Sequence, residues 1–368
     1  MNTIDSMVVR GPLAWDEPEP QPSRRWLAAV IAAMLVVGLL VASVTVQLPY
    51  YALAPGSAKQ VNDLINADSP IYTPKGRVLM ATVSLRRAQP IDVIEGWFDD
   101  DIEIVKEEQI VGRTPPKQYH QLNLQAMDES KRTAIVVALR RLGHDVPAHG
   151  QGSLITNVIP GRGFPAEGHL QQGDVITEVD GQPVQFVEDA VRLLHQHKPG
   201  DAVRLQVTGV DGASRIEQLV MARNDDGTAV LGIELQTFKL DYDVPFKVDI
   251  DSADIGGPSA GLAFTLGVLD ELTPGELTGG KVVAATGTIG IDGAVGDVGG
   301  VPQKTAAVID AGAKVFLVPP GEYEQARKRA GKRLQVIKVA TLDEALAVLG
   351  RLGGNASALG PGSGGAPG

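Results

Sequence analysis

Asp254-Ile255-Gly256-Gly257-Pro258-Ser259-Ala260-Gly261-Leu262-Ala263-Phe264, with Lys304 further along, is the stretch from which the rest of the chain is read. It sets one hydroxyl among small residues, Gly257, Pro258, Ala260 and Gly261. Another backbone can therefore approach the Ser259 oxygen closely, as a nucleophile requires. Gly-Pro-Ser before an apolar run is also a plain helix start, with proline in the first turn. A partner base elsewhere in the chain decides between the two.

The chain has 368 residues, 43% of them apolar, enough for two or three domains with real cores. Its net charge of -11, from 44 acidic and 33 basic residues, disfavours nucleic acid as a partner. It has no cysteine, which excludes disulfides, thiolate metal sites and cysteine nucleophiles together. All six histidines, His120, His144, His149, His169, His195 and His197, precede position 198. They lack ligand spacing, so no metal site is expected.

Residues 1–25 are polar and Pro-rich and read as a disordered cytoplasmic tail. Residues 27–46 are apolar or small except for Ser43 and Thr45, about the length that crosses a bilayer; with flanks, a transmembrane helix is expected over 26–47. Arg24 and Arg25 precede it and place everything after Pro49 outside the cytoplasm. A cleaved signal peptide is the rival reading, disfavoured by length. Trp26, Tyr50 and Tyr51 suit an interfacial aromatic belt.

Residues 48–135 form an extracytoplasmic region with a β-like run at 77–85, a loop at Pro115-Pro116 and a helix from 130 to 142, and no chemistry is legible there. From 136 to 224 the order is a strand at 154–159, a turn, two short strands hinged at Asp180-Gly181, a helix at 187–195 and a strand at 203–207. Residues 225–350 mix strands and helices, and 351–368 are a flexible Gly/Ser/Pro tail.

Gly257-Pro258-Ser259-Ala260-Gly261 satisfies Gly-x-Ser-x-Gly, but the histidine which that elbow needs should follow the serine, and none does. Gly299-Gly300-Val301-Pro302-Gln303-Lys304-Thr305 approximates a phosphate loop, with Gln303 where the second glycine belongs, so no nucleotide is expected. The remaining base is a lysine, which must be neutral to act and so must be buried. Lys304 fits, one turn into the apolar helix expected at 301–311. Lys281 and Lys314 read as solvated surface charges.

The ordered series in 142–223, with Leu170-Gln171-Gln172-Gly173-Asp174-Val175-Ile176 and Val179-Asp180-Gly181, resembles PDZ domains of the bacterial, protease-associated kind. Such domains add an extended peptide as a strand. The resemblance places the carboxylate-binding loop around Leu142, Gly143, His144 and Asp145, and the peptide beside Leu154 and Ile155. The Ser259 stretch, then Thr286-Gly287-Thr288-Ile289, then residues 293–312 with Lys304, then Val318-Pro319, closely resembles the proteolytic domain of Lon proteases.

Together these resemblances imply an α+β multidomain chain: one transmembrane helix, a PDZ-like β-rich domain and a C-terminal Lon-protease α/β domain, without an ATPase. They imply Ser259 as nucleophile, Lys304 as base and Thr286 as the group orienting it, with Gly257, Pro258 and Ala260 shaping the turn. Two positions depart from the family: Gly256 and Thr288 stand where many Lon enzymes carry acids. The expected activity is ATP-independent serine endopeptidase on polypeptide substrates, without cofactor, as a possible homo-oligomer. An inactive peptide-binding scaffold in the cell envelope is the alternative.

Overall fold

The computed structural model describes residues 24–112, 114–356 and 359; most of the two expected tails, 1–25 and 351–368, lies outside the described residues. The chain forms two compact units, one from residues 1–54 and 85–112, the other from 55–84 and 113–368.

In the first unit, α1 (Arg24–Thr45) has 22 residues, about 33 Å at 1.5 Å per residue, against a hydrocarbon layer of about 30 Å. None of its residues is buried. By length and composition it can cross a membrane. Strand β1 (Tyr50–Gln60) is next, and its first four residues pair antiparallel with a later strand, Tyr50 opposite Lys106. Strand β2 (Arg77–Arg87) leads to α2 (Pro90–Phe98), where Pro90 opens the helix and the Asp92 carboxylate accepts from the Gln89 N–H at 2.7 Å. Strand β3 (Glu103–Lys106) and a short helix over Glu107–Val111 close the unit. Tyr51, expected in an aromatic belt, is instead buried.

The second unit contains α3 (Pro116–Arg141), fourteen residues longer at its start than the sequence suggested. Pro115 and Pro116, expected in a loop, are the N-cap and first helical residue. Proline tolerates that position because its missing N–H would have no helical partner there.

Next comes a sheet of β4 (Ser153–Val158), β5 (Val175–Val179), β6 (Ala202–Thr208), β7 (Ser214–Val220) and β8 (Ile233–Thr237), ordered β7-β6-β5-β4-β8, with α4 (Val187–Leu194) packed on it. Alternation along β6 turns Val203, Leu205 and Val207 into one core with Ile155, Ile176 and Leu193. The sheet extends past 224 to residue 237, because β8 completes it.

The rest of the unit comprises α5 (Gly261–Leu272), β9 (Val282–Ala285), α6 (Val301–Asp310), β10 (Val315–Val318), α7 (Tyr323–Ala330), β11 (Gln335–Lys338) and α8 (Leu342–Arg351). β11, β10, β9 and the first part of β2 pair in parallel, Val283 lying between Val315 and Val78. A parallel sheet must be covered on both faces, and the side chains divide accordingly. Val78, Met80, Val283, Val315 and Leu317 meet α3, α5 and α8 through residues such as Leu139, Phe264 and Leu349. Leu79, Ala284, Phe316 and Val318 meet α6 and α7 through Val301, Val308 and Ala330.

The result is a three-layer α/β/α core. Residues 77–84 and α3, read from sequence as part of a separate region, belong to this core, and the β7-to-β8 sheet is inserted between α3 and α5. Every residue of α5 from Gly261 to Glu271 is buried, as expected of a helix sandwiched between α3 and a sheet.

Candidate active site

Ser259 sits in a single 3-10 turn, Pro258–Ala260, that runs directly into α5. Gly257 enters this turn at φ +91°, a conformation glycine adopts without strain. Helix α3 fixes the turn from outside: the Gly257 N–H donates to the Asn123 carbonyl at 2.8 Å, and Ser130 Oγ donates to the Pro258 carbonyl at 3.0 Å. Gly261 lies against Ile289, where an added Cβ would come within 2.8 Å of the backbone nitrogen. Small residues around Ser259 thus serve close packing, and they also leave Ser259 half-exposed. At the helix start, the Ser259 and Ala260 N–H groups precede the first intrahelical bonds.

Thr286 comes directly after β9 and is fully buried. Its hydroxyl donates to the Ser259 carbonyl at 3.2 Å, and the neighbouring Gly287 N–H donates to the same oxygen at 2.9 Å. Lys304 projects from the first turn of α6, whose N-cap Gly300 adopts φ +67° where Val83 of β2 would obstruct a side chain. The residue is 2% exposed, and its ammonium donates to Thr286 Oγ1 at 3.2 Å. Thr286 therefore links the lysine to the backbone of the serine turn, while the Ser259 hydroxyl itself has no hydrogen-bond partner among the described residues.

Burial pulls Lys304 down to about pKa 8, opposed by the charge of Glu322. Glu322 accepts from the Val298 N–H at 3.1 Å, and burial in turn pushes its own carboxyl up. Lys304 is thus the kind of amine that can lose its proton near neutrality. Sequence reasoning missed Asn123 and Ser130, which lie more than a hundred residues before Ser259 in a stretch without a motif, and Glu322, three residues past the Val318-Pro319 motif, where a lone glutamate carries no pattern.

The peptide-binding residues expected at 142–155 do not come together. Leu142 caps the C-terminus of α3 and packs on the α/β/α core, with Gly143 beyond it at φ +86°. Leu154 and Ile155 lie on β4, which has β5 on one side and β8 on the other, so no edge remains there for an added strand. The sheet edge facing α4 is β8. A cleft lies there, lined by Val191 and Leu194 of α4, His195 at its C-cap, Ile233 and Leu235 of β8, and Ile159, Arg162, Phe164 and Leu231. Gly232 at its rim has φ +83° and lies under the Phe164 ring, leaving no room for a side chain. The sequence carried a signal for this site in Val230-Leu231-Gly232-Ile233, an apolar run broken by one glycine.

Residues 140–213 match the PDZ domain family, and residues 198–350 match the Lon protease (S16) C-terminal proteolytic domain. The Lon protease of Phenylobacterium zucineum is 34% identical over 137 residues, which are 37% of this chain and 16% of that protein. Lon protease 2 of Bacillus subtilis is 30% identical over 116 residues, 32% of this chain and 20% of that protein. The chain thus spans about a fifth or less of the length of these relatives. The PDZ domain of an SdrC-like protein from Listeria innocua is 28% identical and covers 23% of this chain and 92% of its own, with a TM-score of 0.21.

Proposed function

We propose that this chain, which joins a PDZ domain to a Lon-type proteolytic domain, is a membrane-anchored serine endopeptidase in which Ser259 is the nucleophile and Lys304 the general base. The observation that carries this reading is the buried Lys304 ammonium, tied through Thr286 to the turn that holds Ser259. Neutral Lys304 takes the Ser259 proton as Oγ bonds to a peptide carbonyl carbon. The resulting oxyanion faces the Ser259 and Ala260 N–H groups. Collapse breaks the C–N bond, the leaving amine takes the proton back from Lys304, and water then attacks the acyl-serine by the same route.

No nucleotide enters this scheme. The lysine of the phosphate-loop-like run is buried and donates to Thr286 instead. Helix α1 serves as the anchor, and Arg24 and Arg25 at its start favour an extracytoplasmic position for the chain beyond it.

A serine-reactive phosphonate is expected to label the full-length protein at Ser259, and Lys304→Met should block the labelling. Silence from the parent protein, with peptides still bound, would assign the chain to the scaffold reading.

The β8 edge and α4 form the groove for the peptide, which adds as a strand, and Arg162 at the rim suits a terminal carboxylate. In a Ser259→Ala background, Val191→Asp should weaken binding of peptides with apolar C-termini by about tenfold, roughly 1.4 kcal/mol. Fluorescence anisotropy with labelled peptides measures it, and unchanged affinity would place the groove elsewhere.

A further inference from the structure

Helix α2 is built inside out for a helix in water. Its one fully buried residue is Asp92, ion-paired with Arg86 and capping Gln89, and its most exposed are Trp97 at 79% and Phe98 at 87%, with Ile94 at 45%. Ile94, Trp97 and Phe98 fall at i, i+3 and i+4, one stripe on one face. On another face Gly96 lies against Ile102, just before β3, where an added Cβ would come within 3.2 Å of the Ile102 carbonyl. Contiguous exposed aromatic surface of this kind marks a contact with another medium or molecule.

The position of α2 indicates which. It packs against α1 within the same unit. The Leu48 N–H, three residues past the end of α1, donates to the Ala88 carbonyl at 2.8 Å, and α2 begins two residues later. Three residues reach at most about 10 Å, and the headgroup layer on each side of the hydrocarbon is roughly 5 to 8 Å deep. The stripe therefore lies at the depth where tryptophan accumulates in membrane proteins. Around it are Glu95, Asp99, Asp100 and Asp101, which disfavour an anionic lipid surface.

We propose that α2 is an interfacial foot: Ile94, Trp97 and Phe98 insert into the zwitterionic lipid interface beside the chain's own membrane span and hold the first unit against the bilayer. This rests on α1 spanning the membrane. The chain has three tryptophans, Trp15, Trp26 and Trp97, so either of the last two can be left as the sole reporter.

Full-length protein carrying Trp15→Phe and Trp26→Phe, reconstituted in phosphatidylcholine vesicles brominated high on the acyl chains, should lose most of its Trp97 emission relative to unbrominated vesicles. A companion chain carrying Trp15→Phe and Trp97→Phe reports the span through Trp26. Quenching at Trp26 without quenching at Trp97 overturns the foot and leaves the span intact. A blue-shifted, unquenched Trp97 in that case means that protein, such as a second copy, covers the stripe. Absence of quenching at both sites overturns the span and the foot with it.

Discussion

Lys304→Met is expected to abolish peptide cleavage while making the protein more stable. The amine is the proton acceptor of the proposed reaction, so its loss should lower kcat/KM by on the order of 10⁴-fold or more, and Ser259→Ala should do the same without an additive effect in the double variant. Stability moves the other way because burial disfavours the ammonium. A pKa lowered from 10.5 to about 8 corresponds to about 3 kcal/mol. That penalty is present in full below pH 8, where the folded chain must hold a buried charge, and it fades as pH rises from 8 towards 10.5. Methionine occupies similar volume without the charge, so at pH 7 the variant should melt at a higher temperature than the parent. The same pKa sets the kinetics: about a tenth of Lys304 is neutral at pH 7, and kcat/KM should rise with pH to a plateau above about 8. Full activity in Lys304→Met, or a pH profile flat from 6 to 9, would remove the lysine from the mechanism.

How much of this site the sequence discloses depends on how local each part is. Ser259, Thr286 and Lys304 stand in short ordered motifs, and two hydrogen bonds at 3.2 Å link Lys304 through Thr286 to the Ser259 carbonyl. Asn123 and Ser130, which clamp the serine turn, lie more than a hundred residues earlier on α3. Their roles are a backbone carbonyl and a single hydroxyl, neither of which leaves a pattern. The same distance hid the architecture. The run at 77–85 reads as a strand from its own composition, but nothing local tells that it pairs in parallel with Val282–Ala285 some two hundred residues later. The peptide position expected beside Leu154 and Ile155 falls on a strand that is paired on both sides, for a topological reason. The strand beside α4 comes last in the sheet, as β8, rather than first, and strand order is not encoded in any one strand. Helix α2 escaped notice because amphipathicity shows that a helix has two faces without saying which one is turned inward.

The opposite end of the nucleophile's helix carries two further buried ionisable groups, with the reverse pH dependence. Asp270 and Glu271 terminate α5 at 1% and 6% exposure. Asp270 accepts from the Leu277 N–H at 3.1 Å and from the Asn62 amide at 3.3 Å, whereas Glu271 Oε2 has no hydrogen-bond partner among the described residues. Burial pushes Asp270 up to about 6; burial, then the charges of Asp270 and Asp63, push Glu271 up to about 7. For an acid whose folded pKa is raised, stability is complete below the unfolded value, near 4.5 for Glu271, and is lost as pH climbs through 7. Glu271→Gln should therefore stabilise the protein by about 2 to 3 kcal/mol at pH 8 and converge with the parent below pH 4.5, as read by thermal unfolding across pH. A variant destabilised at pH 8 but matching the parent below pH 4.5 would show that the carboxylate is paired and useful when charged. Lys304 becomes an effective base only as pH approaches 8, which is where ionisation of Glu271 weakens the helix that begins beside Ser259. Activity should accordingly peak at a higher pH than stability does. Glu271→Gln should lift the melting temperature at that activity peak while leaving the acid limb of the kinetic profile in place.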